Sequence, residues 1–390
     1  MTTTHPQQGS NAERSRTRNR QVVLGHIHRA GVMGRAEIAR SMGLSIQAVS
    51  NIIADLADDG MLVEKGTRST GRGLPAVQYA VNPGGGYSLG VEIRPDAAFV
   101  ALLDMAGTQV FTRRIALSNT HPDTIAQVVA EVRDAALNAV SGAQNKLLGA
   151  GIVMPGPFGT TGLSGYGSDL PEWRDTDPRT LFQDALGLPV EVSNDANAAA
   201  MAERITGVAQ GLTSYAYLYF GTGLGLGLVS QGHLIPGAFG NAGEIGHIPV
   251  PTENGTVALE TALSRLSVQN HLQQHGHGQV DFQSLCDLYN ANEPDLVIWL
   301  KNAVSALGHA MQIIENLFDP QTVILGGAMP EAILDHLVAH TPLPDLSVSN
   351  RPDFDQPRLQ RGASGRLTAT LGAAALILNR TFTPQVAMMH

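Results

Sequence analysis

Side chains that can read DNA bases occur close together near the N-terminus. Amide, hydroxyl and methyl groups follow one another at Ser45, Gln47, Ala48, Ser50 and Asn51. Gln and Asn can bond an adenine edge through two hydrogen bonds, whereas Ser suits phosphate oxygens and Ala suits a thymine methyl group. The pattern indicates a DNA-reading surface. A small helical module that binds a protein is the alternative.

A helix-turn-helix would present these side chains, and the surrounding sequence predicts one. Residues 35–42 repeat at helical spacing and end at Gly43, and Ser45 then caps a helix that runs to about Asp58. The apolar stripe of that helix is formed by Val49, Ile52, Ile53 and Leu56. An earlier helix is expected to follow Arg20 and end at Gly31, and residues 1–12 are expected to be a disordered arm.

A basic hairpin follows the helices. Residues 61–65 and 76–81 are predicted to be strands, and the glycine-rich loop between them carries Arg68 and Arg72, which suit phosphates or a minor groove. Residues 1–83 hold ten Lys or Arg and six Asp or Glu, so this part carries +4 and the remainder carries −13 of the total −9. Such asymmetry favours a small unit for double-stranded operator DNA on an acidic body. Because one half-site offers few contacts, we expect a homodimer or a dimer of dimers.

The rest of the chain predicts two similar α/β lobes. Each begins with a three-strand meander, the first over residues 89–116 and the second over residues 214–236, and continues with helices and strands. We therefore expect a winged helix-turn-helix domain at residues 1–83, a first lobe at 84–198 and a second lobe at 199–363. A C-terminal helix at 364–381 is expected to pack back on the first lobe. A cleft between the lobes would be the ligand site.

Polar and glycine-rich motifs lie where this cleft is expected. Gly156 follows a strand within Gly-Ile-Val-Met-Pro-Gly-Pro, and Asn194 and Asp195 follow the strand at 190–193, outside its carboxyl end, where α/β proteins bind ligands. Glu244 and His247 lie in Gly-Asn-Ala-Gly-Glu-Ile-Gly-His, downstream of Gly-Thr-Gly-Leu-Gly-Leu-Gly. The alternatives are that Asn194 and Asp195 only cap a helix and that Glu244 and His247 form a solvated turn.

These motifs, together with Leu325-Gly-Gly and Leu371-Gly-Ala-Ala-Ala, resemble those of the ROK family (repressor, open reading frame, kinase). The resemblance implies an actin-like, sugar-kinase (ribonuclease H-like) α/β fold in two lobes, preceded by a winged helix-turn-helix. It implies that sugar hydroxyls are bound by Asn194, Asp195, Glu244, His247 and, less directly, Glu260. In a kinase of the family Asp195 would also be the general base.

Two departures from the family pattern bear on cofactors. The first hairpin has Glu92-Ile-Arg-Pro-Asp96 in place of the glycine-rich Asp-x-Gly-Gly-Thr of the kinases, so we expect ATP binding to be lost. Residues 249–260 contain neither cysteine nor histidine, so the zinc site often found after the His motif is not expected. We therefore predict no metal, no cofactor and no catalysis.

The leading hypothesis is a transcriptional regulator, a repressor of genes for carbohydrate uptake or catabolism, whose DNA affinity changes when a sugar effector closes the cleft. An active ATP-dependent sugar kinase with an appended DNA-binding domain is the main alternative, and a scaffold controlled by a protein partner is another. The single cysteine, Cys286, excludes an intrachain disulfide. The N-terminus lacks a signal-peptide pattern and the uncharged stretch 205–243 is interrupted by polar residues, so we expect a cytoplasmic protein without a membrane span.

Overall fold

The structure is a computed structural model that describes residues 8–68, 75–156, 158, 170–173, 175–252 and 255–384. Its N-terminal part contains three helices and a small sheet in the order β1-β3-β2. These elements are α1 (Gln8–Ala30), β1 (Met33–Gly34), α2 (Arg35–Met42), α3 (Ile46–Asp58), β2 (Leu62–Arg68) and β3 (Ala76–Val81).

The capped helix predicted from Ser45 is confirmed. The Ser45 hydroxyl accepts a hydrogen bond from the backbone N–H of Ala48 at 3.1 Å, and the apolar stripe of α3 is buried. Gly43, at φ 64°, ends α2 in the left-handed conformation that favours glycine. The prediction of a disordered arm over residues 1–12 is wrong for residues 8–12, which form the first turns of α1.

A five-stranded sheet follows, in the order β6-β5-β4-β7-β8. Strands β4 and β5 pair antiparallel, whereas β4, β7 and β8 run parallel, with α4 and α5 packed together beside them. The elements are β4 (Tyr87–Ile93), β5 (Ala97–Asp104), β6 (Gln109–Ala116), α4 (Pro122–Ala139), β7 (Leu147–Val153), α5 (Pro178–Leu186) and β8 (Val190–Ser193).

After α6 (Asp195–Thr206), a second five-stranded sheet repeats the plan of the first. Its order is β11-β10-β9-β14-β15, and, as in the first sheet, the first two pairs in this order are antiparallel and the last two are parallel. The elements are β9 (Tyr215–Phe220), β10 (Leu224–Ser230), β11 (His233–Leu234), β12 (Pro249–Thr252), β13 (Gly255–Ala258), α7 (Leu259–Ala262), α8 (Arg265–Gln274), α9 (Phe282–Asn290), α10 (Pro294–Phe318), β14 (Val323–Gly327), α11 (Glu331–His340), β15 (Leu359–Ser364) and α12 (Thr368–Phe382). The hairpin β12–β13, with α7 after it, interrupts the repeat.

Helices α6 and α12 pack against each other between the two sheets, through small residues. A Cβ added to Gly372 of α12 would lie 2.1 Å from the backbone oxygen of Ala198 in α6. A Cβ on Gly151 of β7 would lie 1.8 Å from the backbone oxygen of Ala373. Both distances are far below van der Waals contact, so each glycine is required for the close approach of two backbones. Gly151 therefore serves helix packing.

One hydrophobic core joins the N-terminal helices to this central pair. Val23 and Ile27 of α1 belong to the same buried cluster as Ala198 of α6 and Phe382 of α12. Two further cores lie within the two lobes. Among the described helices, none combines the length and the apolar character needed to cross a membrane.

Candidate functional site

A large cavity lies beside the ends of the central strands, with walls from both sheets. Its volume is about 1200 Å³, and it is lined by all six residues predicted to form the sugar site. These residues are Gly156, Asn194, Asp195, Glu244, His247 and Glu260. Residues distant in sequence thus share one hollow that is large enough for a small-molecule ligand.

Asn194 and Asp195 are positioned by the start of α6. The Oδ1 atom of Asn194 accepts a hydrogen bond from the backbone N–H of Asn197 at 2.9 Å, so this residue caps the helix. Asp195 Oδ1 accepts from the N–H of Ala196 at 2.9 Å. A Cβ added to Gly221 would lie 3.2 Å from Asp195 Oδ2, so the glycine lets the β9–β10 turn come close to this carboxylate. Capping and lining the cavity are therefore compatible, since the cap uses only one atom of each side chain.

The carboxyl of Asp195 is poised to exchange a proton near neutrality. Burial, and then the nearby charge of Glu92, raise the pKa of Asp195 from 3.8 to about 6, although hydrogen bonds from backbone N–H groups oppose the shift. A carboxyl of this kind can accept a hydrogen bond from a ligand hydroxyl or take up its proton.

Glu244, His247 and Glu260 form a second cluster in the cavity wall. His247 Nε2 lies 3.7 Å from Glu244 Oε2, and His247 Nδ1 lies 3.6 Å from Glu260 Oε1. Burial raises the pKa of Glu244, and the adjacent His247 opposes the shift. A Cβ on Gly156 would stand 3.6 Å from Glu244 Oε1, an ordinary van der Waals distance, so Gly156 lies directly beside this carboxylate in the cavity wall. The cluster offers several acceptors and one donor, which suits adjacent hydroxyls.

Residues 92–96, where the sequence lacks the glycines expected of a phosphate loop, line the cavity. Glu92 is buried at the end of β4, where Oε1 accepts from Arg94 Nε at 2.6 Å and Oε2 accepts from the Thr370 hydroxyl at 2.7 Å. Arg94 also lies over the ring of Phe99 at 4.5 Å and donates from Nη2 to the backbone oxygen of Arg366 at 3.0 Å. Arg94 is thereby fixed in the cavity wall together with Pro95.

Two further arginines, which the sequence analysis did not single out, line the same cavity. Arg265 is the first residue of α8, and Arg366 precedes α12. No local pattern connects positions so far apart, so only the fold brings them together with Arg94. Within the described ranges, one His/carboxylate group could hold a metal ion, formed by His277, Glu293 and Asp295, and it does not include His247.

The predicted DNA-reading side chains lie along α3. Gln47 and Asn51 are exposed and share a hydrogen bond of 3.2 Å, whereas Ala48 and Ser50 are half-buried and the exposed Ser45 serves as the cap. Ile46 is also 59% exposed in the first turn of α3, although its spacing from Val49 fits the apolar stripe and would predict burial. Arg68 on β2 is 67% exposed and lies 3.7 Å from Glu37, and Arg72 falls outside the described residues.

The N-terminal helices α1–α3 and the cavity are connected through α6 and α12. Arg204 near the end of α6 donates from Nε to Asn379 Oδ1 of α12 at 2.9 Å. The ring of Phe382, at the end of α12, stacks on His28 of α1 with centroids 4.4 Å apart. Gln21 of α1 donates to the backbone oxygen of Arg380 at 2.9 Å. Asp195 and the N-terminal helices are thus joined by two packed helices, α6 and α12.

Comparison with known proteins agrees with this architecture. The family model described as "ROK family" matches residues 88–380. The xylose repressor of Bacillus spizizenii is 25% identical over 320 residues, which cover 80% of this chain and 83% of that protein. The glucokinase of Halalkalibacterium halodurans is 28% identical over 318 residues, which cover 74% of this chain and 92% of that protein.

A solved structure extends the likeness to the N-terminal part. The crystal structure of a ROK family transcriptional regulator, described as a homolog of the E. coli MLC protein, superposes with a TM-score of 0.71 at 21% identity and covers 95% of this chain and 97% of that one. The predicted fold class is confirmed by these matches together with the two lobes of the structure. Since the family model spans far more than half of its residues, the chain belongs to the ROK family.

Proposed function

We propose that this protein is a sugar-responsive transcriptional repressor of carbohydrate uptake or catabolism genes. Its α3 surface binds an operator, and a sugar or sugar derivative in the cavity changes the affinity for that operator. The observation that carries the proposal is the presence, in one chain, of a capped reading helix and a cavity lined by Asp195, Glu244, His247 and Glu260, joined through α6 and α12.

The sugar would be held by Asn194, Asp195, Glu244, His247 and Glu260, with Gly156 leaving room for it. A carboxylate can bond two adjacent hydroxyls and an imidazole nitrogen can bond one, and the wrong polyol would leave these groups unpaired in a partly buried site. The names of relatives support the ligand class, because one is a xylose repressor and another is a glucokinase. A sugar can shift the equilibrium between two states only if it binds them with different affinity.

A non-catalytic cleft is part of the proposal. The side chains of Glu92 and Arg94, bonded to each other and to the α12 region, stand where a kinase would need free backbone N–H groups for a triphosphate. We therefore propose that neither nucleotide nor metal is required for the response. Regulation would be by population shift, with the sugar as the only small molecule.

An active sugar kinase is the second candidate, and Asp195 favours it. A carboxyl with a pKa of about 6 is suited to accept a proton from an attacking hydroxyl. ADP release with a panel of aldoses distinguishes the two. Turnover that Asp195→Asn abolishes would establish the kinase and overturn the non-catalytic proposal, whereas no turnover above the rate of that variant supports the repressor.

The proposal includes assembly and location. We propose that residues 1–83 read DNA, that 84–198 and 199–363 form the two lobes with 364–381 packed on the first, and that a homodimer or a dimer of dimers binds a near-palindrome in the cytoplasm. Ser45, Gln47, Ala48, Ser50 and Asn51 would face the bases, with Arg68 and Arg72 on the backbone. Sedimentation of the protein with and without operator measures the assembly.

The decisive experiment is fluorescence anisotropy with DNA from upstream of the protein's own gene. Neutral aldopentoses, hexoses and their phosphates are titrated into the complex. We expect the protein to bind one fragment specifically and at least one sugar to weaken this binding. Asn51→Ala should impair binding to DNA, whereas Glu244→Gln should remove the response to the sugar. Binding to no fragment, or binding that no sugar alters, would overturn the proposal.

A further inference from the structure

The charges that line the cavity are unevenly paired. Arg94 is paired with Glu92, and Arg114 with Asp96 at 3.0 Å. Arg265 and Arg366 line the same cavity, and neither forms an ion pair with any residue that the structure describes. Asp195 and the Glu244–His247–Glu260 cluster line the main cavity and leave an excess of carboxylates there. The cavity thus holds carboxylates in excess together with two arginines that have no carboxylate partner among the described residues.

Arg265 is the least compensated of these groups. Its Nε atom is buried and has no hydrogen-bond partner among the described residues. Burial lowers the pKa of Arg265, and the charges of Arg94 and then Arg366 lower it further, with Tyr219 acting in the opposite direction. A partly desolvated guanidinium with two like charges near it is stabilised by an anion, and this structure provides none in contact with it.

A side pocket is located at these arginines. It has a volume of about 250 Å³ and is lined by Arg94, Arg265 and Arg366, all of which also line the main cavity. One carboxylate, that of Asp281, lies in its wall, but Asp281 caps α9 by accepting from the N–H of Ser284 at 2.8 Å and from its hydroxyl at 2.7 Å. The arginines therefore surround a space continuous with the main cavity and big enough for a tetrahedral anion.

We propose that this pocket binds the phosphate group of a phosphorylated sugar, so that the effector is a sugar phosphate. This inference rests on the proposed function, since it specifies the ligand of the same cleft. Arginine matches phosphate through two parallel hydrogen bonds, and a neutral sugar offers nothing that compensates the charge of Arg265. Asp195, Glu244 and Glu260 line the main cavity but not the side pocket, so they would bond hydroxyls while the phosphate lies at the arginines, and this sets one orientation of the ligand.

Calorimetry of the full-length protein at constant ionic strength tests the proposal with matched probes. Glucose is compared with glucose 6-phosphate, xylose with xylose 5-phosphate and fructose with its 1- and 6-phosphates, and inorganic phosphate and ATP are titrated separately. We expect at least one sugar phosphate to bind about tenfold or more tightly than its neutral sugar. Arg265→Gln and Arg366→Gln should each remove about tenfold of that affinity, so that the loss for the sugar phosphate exceeds any change in affinity for the matched neutral sugar.

Arg351→Gln is the matched control, because this arginine pairs with Asp319 and does not line either pocket. Thermal melts of each variant verify folding. Equal affinity for a neutral sugar and its phosphate, or sugar phosphate binding unaffected by both variants, would overturn the inference but leave the repressor standing if sugars still alter operator affinity. Binding of only ATP or inorganic phosphate, lost in Arg265→Gln, would overturn the inference too and assign the pocket to another phosphate source.

Discussion

Asp195→Asn should make the protein more stable at neutral pH while it weakens ligand binding. In the folded protein the pKa of Asp195 is raised from 3.8 to about 6, chiefly by burial. The folded state therefore holds the proton more tightly than the unfolded state, and the stability from this group is fully present below about pH 4 and lost as pH rises through about 6. At about 1.4 kcal/mol per pKa unit, the ionised carboxyl costs up to about 3 kcal/mol at neutral pH.

Partial contact with solvent reduces this cost, because Asp195 lines the open cavity. We therefore expect Asp195→Asn to raise the free energy of unfolding by about 1–3 kcal/mol at neutral pH, with the advantage shrinking as pH falls toward 4. Urea titrations at about pH 5 and about pH 7.5 measure the difference through the fluorescence of Trp173 and Trp299. Asp353→Asn, at an exposed position, controls for the loss of one negative charge.

The same variant should bind ligand more weakly, because an amide offers one neutral acceptor oxygen where an ionised carboxylate offers two charged ones. If the ligand bonds the ionised form, its affinity for the natural protein should fall below about pH 6. The predicted difference in the free energy of unfolding arises only from ionisation of Asp195. The reasoning would be refuted if the difference between the natural protein and Asp195→Asn were the same at about pH 5 and about pH 7.5.

Three other changes test the connection to DNA and the reading surface. Phe382→Ala removes the stack on His28 and should destabilise the protein by about 3–5 kcal/mol. It should also reduce the factor by which a sugar changes operator affinity, measured by anisotropy. Phe354 is 39% exposed, so Phe354→Ala should have neither effect. Asn51→Ala should lose about 1–3 kcal/mol of discrimination at one base pair, seen as relaxed preference in competition with altered operators. Arg68→Gln should weaken binding to all sequences alike and lower the salt dependence by about one ion.

Local sequence was sufficient where one element decides the outcome. The cap at Ser45 and the stripe that begins at Val49 predicted α3 because both signals act within one helix. The exposure of Ile46 could not be predicted from the same spacing, because periodicity does not show whether another element covers a position. Helical propensity in residues 8–12 was underestimated because that segment is polar and lacks an apolar stripe.

Some residues of the candidate site could likewise be predicted from local sequence, and others could not. Asn194 and Asp195 were identifiable because they end a strand and begin a helix, a local signal with a general meaning. The side pocket lined by Arg94, Arg265 and Arg366 could not be identified from the sequence, because these positions meet only through tertiary packing. Sequence likewise could not show that Glu92 holds Arg94 and Thr370 together, although it did show that the glycines of a phosphate loop were replaced there.

The packing of α6 and α12 explains how a ligand in the cleft would change the position of the N-terminal helices. Asp195 begins α6, and a ligand that bonds it pulls on that end of a helix whose other end is tied to α12 by Arg204 and Asn379. With the backbones in contact at Gly372, α12 cannot let α6 slide independently. The stack of Phe382 on His28 joins α12 to α1, and α1 shares a buried core with α3, to which it is also linked by the ion pair of Arg16 with Asp55. Closely packed helices have few alternative arrangements, so under the proposed function a small shift at the cleft would favour a different placement of α3.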